Sequence, residues 1–164
     1  MTSLIVRSAR VALVAFAGMG ALGAGAAQAT VHYAFTGKKY TYEYPSTGCL
    51  TKSMHLSMSI VFAAKLAPNL SNQSVTAVSW VVNDGLHSFK DTEAKAIAPL
   101  QATFSTDANG NITAWSVNSY YYAPNGIDIL YTTHSKNTGD YSADYKCSPS
   151  AVGSNFVAGT WKFN

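Results

Sequence analysis

Charge is scarce in this 164-residue chain. Eleven Lys and Arg and eight Asp and Glu make up 12% of it, and the longest basic run is the pair Lys38-Lys39. A protein that holds nucleic acid needs a patch of cationic side chains against the phosphates, so that class is excluded. Catalytic signatures are missing as well. The chain has no Gly-x-Ser-x-Gly elbow and no phosphate-cradling glycine loop ahead of a helix. Its four histidines, His32, His55, His87 and His134, show no i, i+4 spacing, and there is no Cys-x-x-Cys, so no zinc motif is present. Helical periodicity is confined to Asp91 to Ala98, where Thr92 caps one turn before Pro99 stops it.

The acidic turn Asp107-Ala108-Asn109-Gly110-Asn111 invites a calcium reading, but an EF-hand loop needs glycine at its sixth position and glutamate at its twelfth. Counted from Asp107, those positions hold Ile112 and Asn118. Asp107 is therefore expected to accept backbone hydrogen bonds beside a turn. No motif implies a metal or a cofactor.

Residues 1 to 29 read as a secretory signal peptide. Arg7 and Arg10 open it, Val11 to Ala27 is apolar and rich in glycine, and Ala27-Gln28-Ala29 supplies a small-x-small cleavage site after Ala29. The expected location is secreted or periplasmic, with no transmembrane helix in the mature chain. Removing the two arginines takes the formal charge of +3 to about +1, so most of the basicity belongs to the export signal. The remaining residues, 30 to 164, are expected to form one domain.

Cysteine is limited to two residues, Cys49 and Cys147. In an exported chain the expectation is one disulfide joining them. Closing a loop of on the order of 100 residues contributes roughly 4 to 5 kcal/mol in the chain-entropy model.

What the chain does have is alternation with a period of two. Val31, Tyr33 and Phe35 share a face, as do Tyr40, Tyr42 and Tyr44. In Ser53 to Phe62, Met54, Leu56, Met58, Ile60 and Phe62 oppose Ser53, His55, Ser57 and Ser59. Two hairpins can be read with a register. In Gln101 to Val117 an Asn109-Gly110 turn of type I′ sets Phe104 opposite Trp115; a turn over Asp107 to Gly110 with a bulge is the alternative. In Val75 to Phe89 an Asp84-Gly85 turn sets Trp80 opposite Phe89 and Val82 opposite His87. Tyr120-Tyr121-Tyr122 continues extended, Pro124-Asn125-Gly126 turns the chain, and strands follow at Ile127 to Thr133, Asp140 to Cys147 and Phe156 to Phe163. The expected fold is all-β, an antiparallel β-sandwich of about eight or nine strands with one disulfide.

Four pieces, Tyr33-Ala34-Phe35-Thr36-Gly37, Leu66-Ala67-Pro68-Asn69-Leu70, Asn83-Asp84-Gly85 and Ser105 to Trp115 (STDANGNITAW), resemble uncharacterised small exported bacterial β-domain proteins. That resemblance implies a short β domain behind a signal peptide, and no activity or catalytic residue. Many such proteins end in a PEP-type sorting tail. Here Phe163-Asn164 follows a strand directly, so surface sorting by that route is not expected.

The expected function is a structural or binding module. Tyrosine is abundant, and Tyr40, Tyr42, Tyr44, Tyr120, Tyr121, Tyr122, Tyr131, Tyr141 and Tyr145 are candidates for an exposed aromatic platform. Tyr120, Tyr121, Tyr122, Tyr141 and Tyr145 are singled out as ligand-binding. A glycan or cell-surface component is the expected partner, with Asp140 and Asp144 as bonding acids for its hydroxyls. One alternative is a hydrolase of surface polymers, which requires two of the dispersed acids to meet a histidine in one cleft. The other is a small outer-membrane barrel, for which Ser53 to Phe62 would turn its apolar side outward.

Overall fold

The computed structural model describes residues 29–45, 49–93, 99–134, 138–144, 146–147 and 150–163. The signal segment up to residue 28, residues 94–98 of the expected helical turn, and Tyr145 lie outside them. The described residues form twelve strands and no helix: β1 (Val31–Thr36), β2 (Tyr42–Tyr44), β3 (Ser57–Phe62), β4 (Gln73–Ser74), β5 (Ser79–Asn83), β6 (Ser88–Lys90), β7 (Gln101–Thr106), β8 (Ile112–Ala123), β9 (Gly126–His134), β10 (Thr138–Asp144), β11 (Ala151–Asn155) and β12 (Thr160–Phe163). They build two antiparallel sheets, β12-β1-β3-β5-β6 and β2-β11-β10-β9-β8-β7-β4.

The sandwich is thus as expected, with more strands than the eight or nine read from the sequence. The surplus includes the two-residue β4, a piece too short to show alternation. A further separate strand, β11, lies in a stretch whose small polar residues (AVGSN) carry no apolar stripe.

Apolar side chains from both sheets meet in one core. Leu56, Met58, Ile60 and Phe62 face inward, against Phe104, Val117 and Leu130 of the larger sheet. The barrel alternative needs that row on the outside, whereas the row faces the interior of two packed sheets. Aromatic rings join the sheets edge to face, Phe62 to Phe104 at 5.7 Å and Phe35 to Trp115 at 5.9 Å. Such pairs are worth about 0.5 to 1.5 kcal/mol beyond simple burial. Among the described residues, no helix is long and apolar enough to cross a membrane.

Both readable hairpins form, each with a different turn. Between β7 and β8, the Gly110 amide bonds the Asp107 carbonyl at 3.0 Å, and the Asp107 amide bonds the Asn111 carbonyl at 2.9 Å. Within the turn only Gly110 takes positive φ, at 80°. This is the wider turn over Asp107 to Gly110, not the two-residue Asn109-Gly110 turn. A bulge at Thr113 then moves the ladder back by one residue, and Phe104 still lies opposite Trp115. Between β5 and β6 the loop is Gly85-Leu86, with Gly85 at φ 101° in the first central position, as in a II′ turn. The ladder pairs Val82 with Phe89, so the expected Trp80–Phe89 and Val82–His87 pairs do not form. Both rings pack instead on Tyr121 of the opposite sheet, Trp80 at 5.6 Å and Phe89 at 4.8 Å.

Cys49 and Cys147 are joined as a disulfide, with Cα atoms 5.9 Å apart across 98 positions of sequence. It packs with Leu50, Ala151 and Met54 in a small second core.

Candidate functional site

Two places gather polar or aromatic chemistry, one on the outer face of the seven-stranded sheet and one inside the sandwich. The outer face follows from register. Directly paired residues on antiparallel strands present their side chains to the same face. The ladders place Tyr42 beside Ser154, Ser154 beside Tyr141, Tyr141 beside Tyr131, and Tyr131 beside Asn118. Two residues along, a second row on the same face runs Tyr44, Val152, Ala143, Ile129 and Tyr120. Tyr122 continues the same face beside Ile127.

Six tyrosines therefore share one side of one sheet. Tyr42, Tyr44 and Tyr122 are exposed, and Tyr120, Tyr131 and Tyr141 are half-buried among their neighbours. Tyr131 and Tyr141 stack with ring centroids 5.0 Å apart and planes at 16°. The small Ser154 between Tyr42 and Tyr141 leaves a groove of about 800 Å³, walled by Tyr42, Tyr131, Tyr141 and the exposed Phe156. Thr133, Thr138 and Ser154 add hydroxyls to it.

Of the expected binding tyrosines, Tyr120, Tyr122 and Tyr141 belong to this face. Tyr121 does not. Alternation turns it inward, where it is buried and donates its hydroxyl to the Lys90 carbonyl. Tyr40, expected on a face with Tyr42 and Tyr44, is also buried, because it precedes β2 and drops between the sheets. Asp140 borders the groove from its place next to Tyr141 in the chain, and Asp144 does not line it. They share β10 with Tyr141 but point to its other face.

That inner face carries the second cluster. Asp84, Asp128, Asp140 and Asp144 are each 2% exposed or less, which accounts for half of the chain's eight acids. Acids are almost never buried this deeply without partners. Asp84 sits at the head of the β5–β6 turn, where its Oδ1 accepts from the Leu86 and His87 amides at 2.8 and 2.7 Å. This cap turns the chain so that His87 Nδ1 meets Asp144 Oδ2. Asp144 Oδ1 accepts from the Lys146 amide at 2.8 Å, and Ser142 Oγ lies 3.5 Å from Asp84 Oδ2. The Tyr40 hydroxyl donates to the Asp84 carbonyl at 3.0 Å.

Burial pushes the Asp84 carboxyl up to about 6, and the neighbouring Asp144 adds to the rise against the lowering effect of the His87 and Leu86 amides. Asp140 is raised by burial, offset in part by hydrogen bonds from Thr132 and Asn155. The Tyr40 phenol is raised by burial and then by the charges of Asp84 and Asp140. At Asp107 the direction reverses: hydrogen bonds from the Asn111 side chain and amide hold that exposed carboxyl below its ordinary value.

One ligand atom each from Asp84, His87 and Asp144 lie within 4.8 Å of one another, a set able to hold a metal ion. This is the meeting of two acids and a histidine that a hydrolase would require. Yet both carboxylates are fully buried, so a polymer cannot touch them, and the arrangement suits a proton or a small ion better than a glycosidic bond. The sulfurs of Cys49 and Cys147 also lie close to Asp144; joined to each other, they are not thiolate ligands.

Sequence reasoning missed this cluster because it read Asp84 as a turn residue and placed His87 opposite Val82. One signal was available. Asp140, Ser142 and Asp144 alternate with Tyr141 and Ala143, so a platform containing Tyr141 must turn those acids inward. Comparison with protein-family models, with curated proteins and with solved structures found no match to this chain.

Proposed function

We propose that the protein is an exported, secreted or periplasmic glycan-binding module whose ligand lies across the outer face of the seven-stranded sheet. The observation that carries this reading is the cross-strand row Tyr42, Ser154, Tyr141, Tyr131 and Asn118. Strands are about 4.8 Å apart, so Tyr42 and Tyr141 stand roughly 10 Å from each other across Ser154. That gap suits a sugar ring, which offers apolar C–H faces to aromatic rings and hydroxyls to the polar groups at their edges. Phenolic hydroxyls, Ser154, Thr133 and Asn118 supply both donors and acceptors along the row.

The rigid ladder supports the reading further. Tyr131 and Tyr141 are already stacked, so less side-chain entropy is lost on binding than with freely rotating rings. The test is a glycan array followed by calorimetric titration of the strongest oligosaccharide. Tyr42→Ala and Tyr141→Ala are expected to weaken binding at least tenfold, while Tyr121→Phe, altered only in the interior, leaves it unchanged. A flat array with folded protein, or equal binding by all three variants, overturns the reading.

A further inference from the structure

The buried cluster has a property the outer face does not share: its negative charge exceeds the positive charge brought to meet it. Asp84 and Asp144 are fully buried, and the His87–Asp144 contact is the only ion pair among the described residues. Two neighbouring carboxylates taken out of water cannot both carry charge unless a cation compensates them. Asp140, two residues before Ser142 on the same inward face, points to the same shortage. It is 2% exposed, and its Oδ1 has no hydrogen-bond partner among the described residues.

We propose that Asp84, His87 and Asp144 form a binding site for one divalent transition-metal cation, Zn2+ or Mn2+, at the junction of the two sheets. Their donor atoms come within 4.8 Å of each other, so an ion that takes the place of the direct His87–Asp144 contact finds all three donors at hand. Two carboxylate oxygens cancel the charge of a divalent ion, and the imidazole nitrogen selects its type. Zn2+ and Mn2+ accept mixed nitrogen and oxygen sets, whereas Ca2+ takes six to eight oxygens. Ser142 Oγ, 3.5 Å from Asp84 Oδ2, stands next in line as a neutral oxygen.

The local fold holds the set in place. The Asp84 cap orients His87 on the β5–β6 turn, and the Lys146 amide fixes the second oxygen of Asp144. Outer-shell bonds of this kind set ligand direction. His87 is one-third exposed and forms the outer wall, so rotation of that ring opens a path for an ion and not for a polymer.

The test uses untagged mature protein stripped with chelator and titrated calorimetrically with ZnCl2, MnCl2 and CaCl2. One equivalent of Zn2+ or Mn2+ is expected to bind, at least tenfold more tightly than Ca2+, and to raise the melting temperature. Asp144→Asn and His87→Gln should each weaken binding at least tenfold, and His32→Gln should not change it. If Asp144→Asn fails to fold, His87→Gln decides, because its side chain is partly exposed. Absence of Zn2+ and Mn2+ binding, or equal loss in His32→Gln, overturns the proposal.

Discussion

Phe104 lies directly opposite Trp115 in the β7–β8 ladder, although the turn joining their strands is one residue longer than that register requires. The wider turn shifts the pairing by one position, and the unpaired Thr113 shifts it back. Burial explains why the bulge is kept. Phe104 is fully buried and Trp115 nearly so, and a one-residue slip would send every side chain of one strand to the wrong face.

The turn geometry makes its own prediction. Gly110 is at φ 80°, and a Cβ there would sit 3.0 Å from the Leu66 carbonyl oxygen. Gly110→Ala is expected to cost about 1 to 2 kcal/mol in urea unfolding. Asn109→Ala should stay within about 0.5 kcal/mol, because Asn109 does not need positive φ. Comparable losses at both positions would indicate the narrower turn instead.

Three consecutive tyrosines should respond in alternation. Tyr121 is buried against Trp80 and Phe89, and its hydroxyl bonds the Lys90 carbonyl. Tyr121→Ala is therefore expected to lose about 3 to 5 kcal/mol. Tyr122, exposed on the outer face, should lose less than about 1 kcal/mol as Tyr122→Ala. Chemical denaturation of the two variants side by side checks the difference.

The disulfide spans 98 positions. Replacing both cysteines by serine is expected to lower stability by roughly 4 to 5 kcal/mol, since the unfolded chain regains the freedom of a long loop. Reduction of the wild-type protein should produce a similar fall in the denaturant midpoint.

Stability should also depend on pH through Asp84. Its carboxyl rises from 3.8 to about 6 on folding, so the folded state holds the proton more tightly than the unfolded state. The resulting stabilisation is fully present below about pH 4 and is lost as pH rises through about 6, by at most about 3 kcal/mol. Asp144 and Ser142 face this carboxyl from β10, and His87 flanks it on its own turn. Asp84→Asn is expected to flatten most of the slope in metal-free protein, leaving the part due to Asp140, which is raised in the same direction. An unchanged slope in that variant would assign the dependence to other groups.

Much of the fold was legible because alternation is a local property. Leu56, Met58, Ile60 and Phe62 declare a strand with one buried face wherever it ends up. The same logic yields the Phe104–Trp115 pair. It fails at the β5–β6 turn, where Asp-Gly permits more than one loop and burial favours the alternative: Val82 pairs with Phe89 while Trp80 packs across the sandwich on Tyr121. The tyrosine platform was half legible. Alternation separates Tyr121 from Tyr120 and Tyr122, but strand neighbours are needed to bring Tyr42 to within one residue of Tyr141.

By itself, the sequence determined the secondary structure class, the disulfide partners and which residues of each strand share a face, because these follow from two-residue periodicity and from there being only two cysteines. The tertiary structure alone decided where the acids went. Asp84 and Asp144 are sixty positions apart on different sheets, and no local pattern relates them; only the packing of the β5–β6 turn against β10 removes both from water and sets His87 between them.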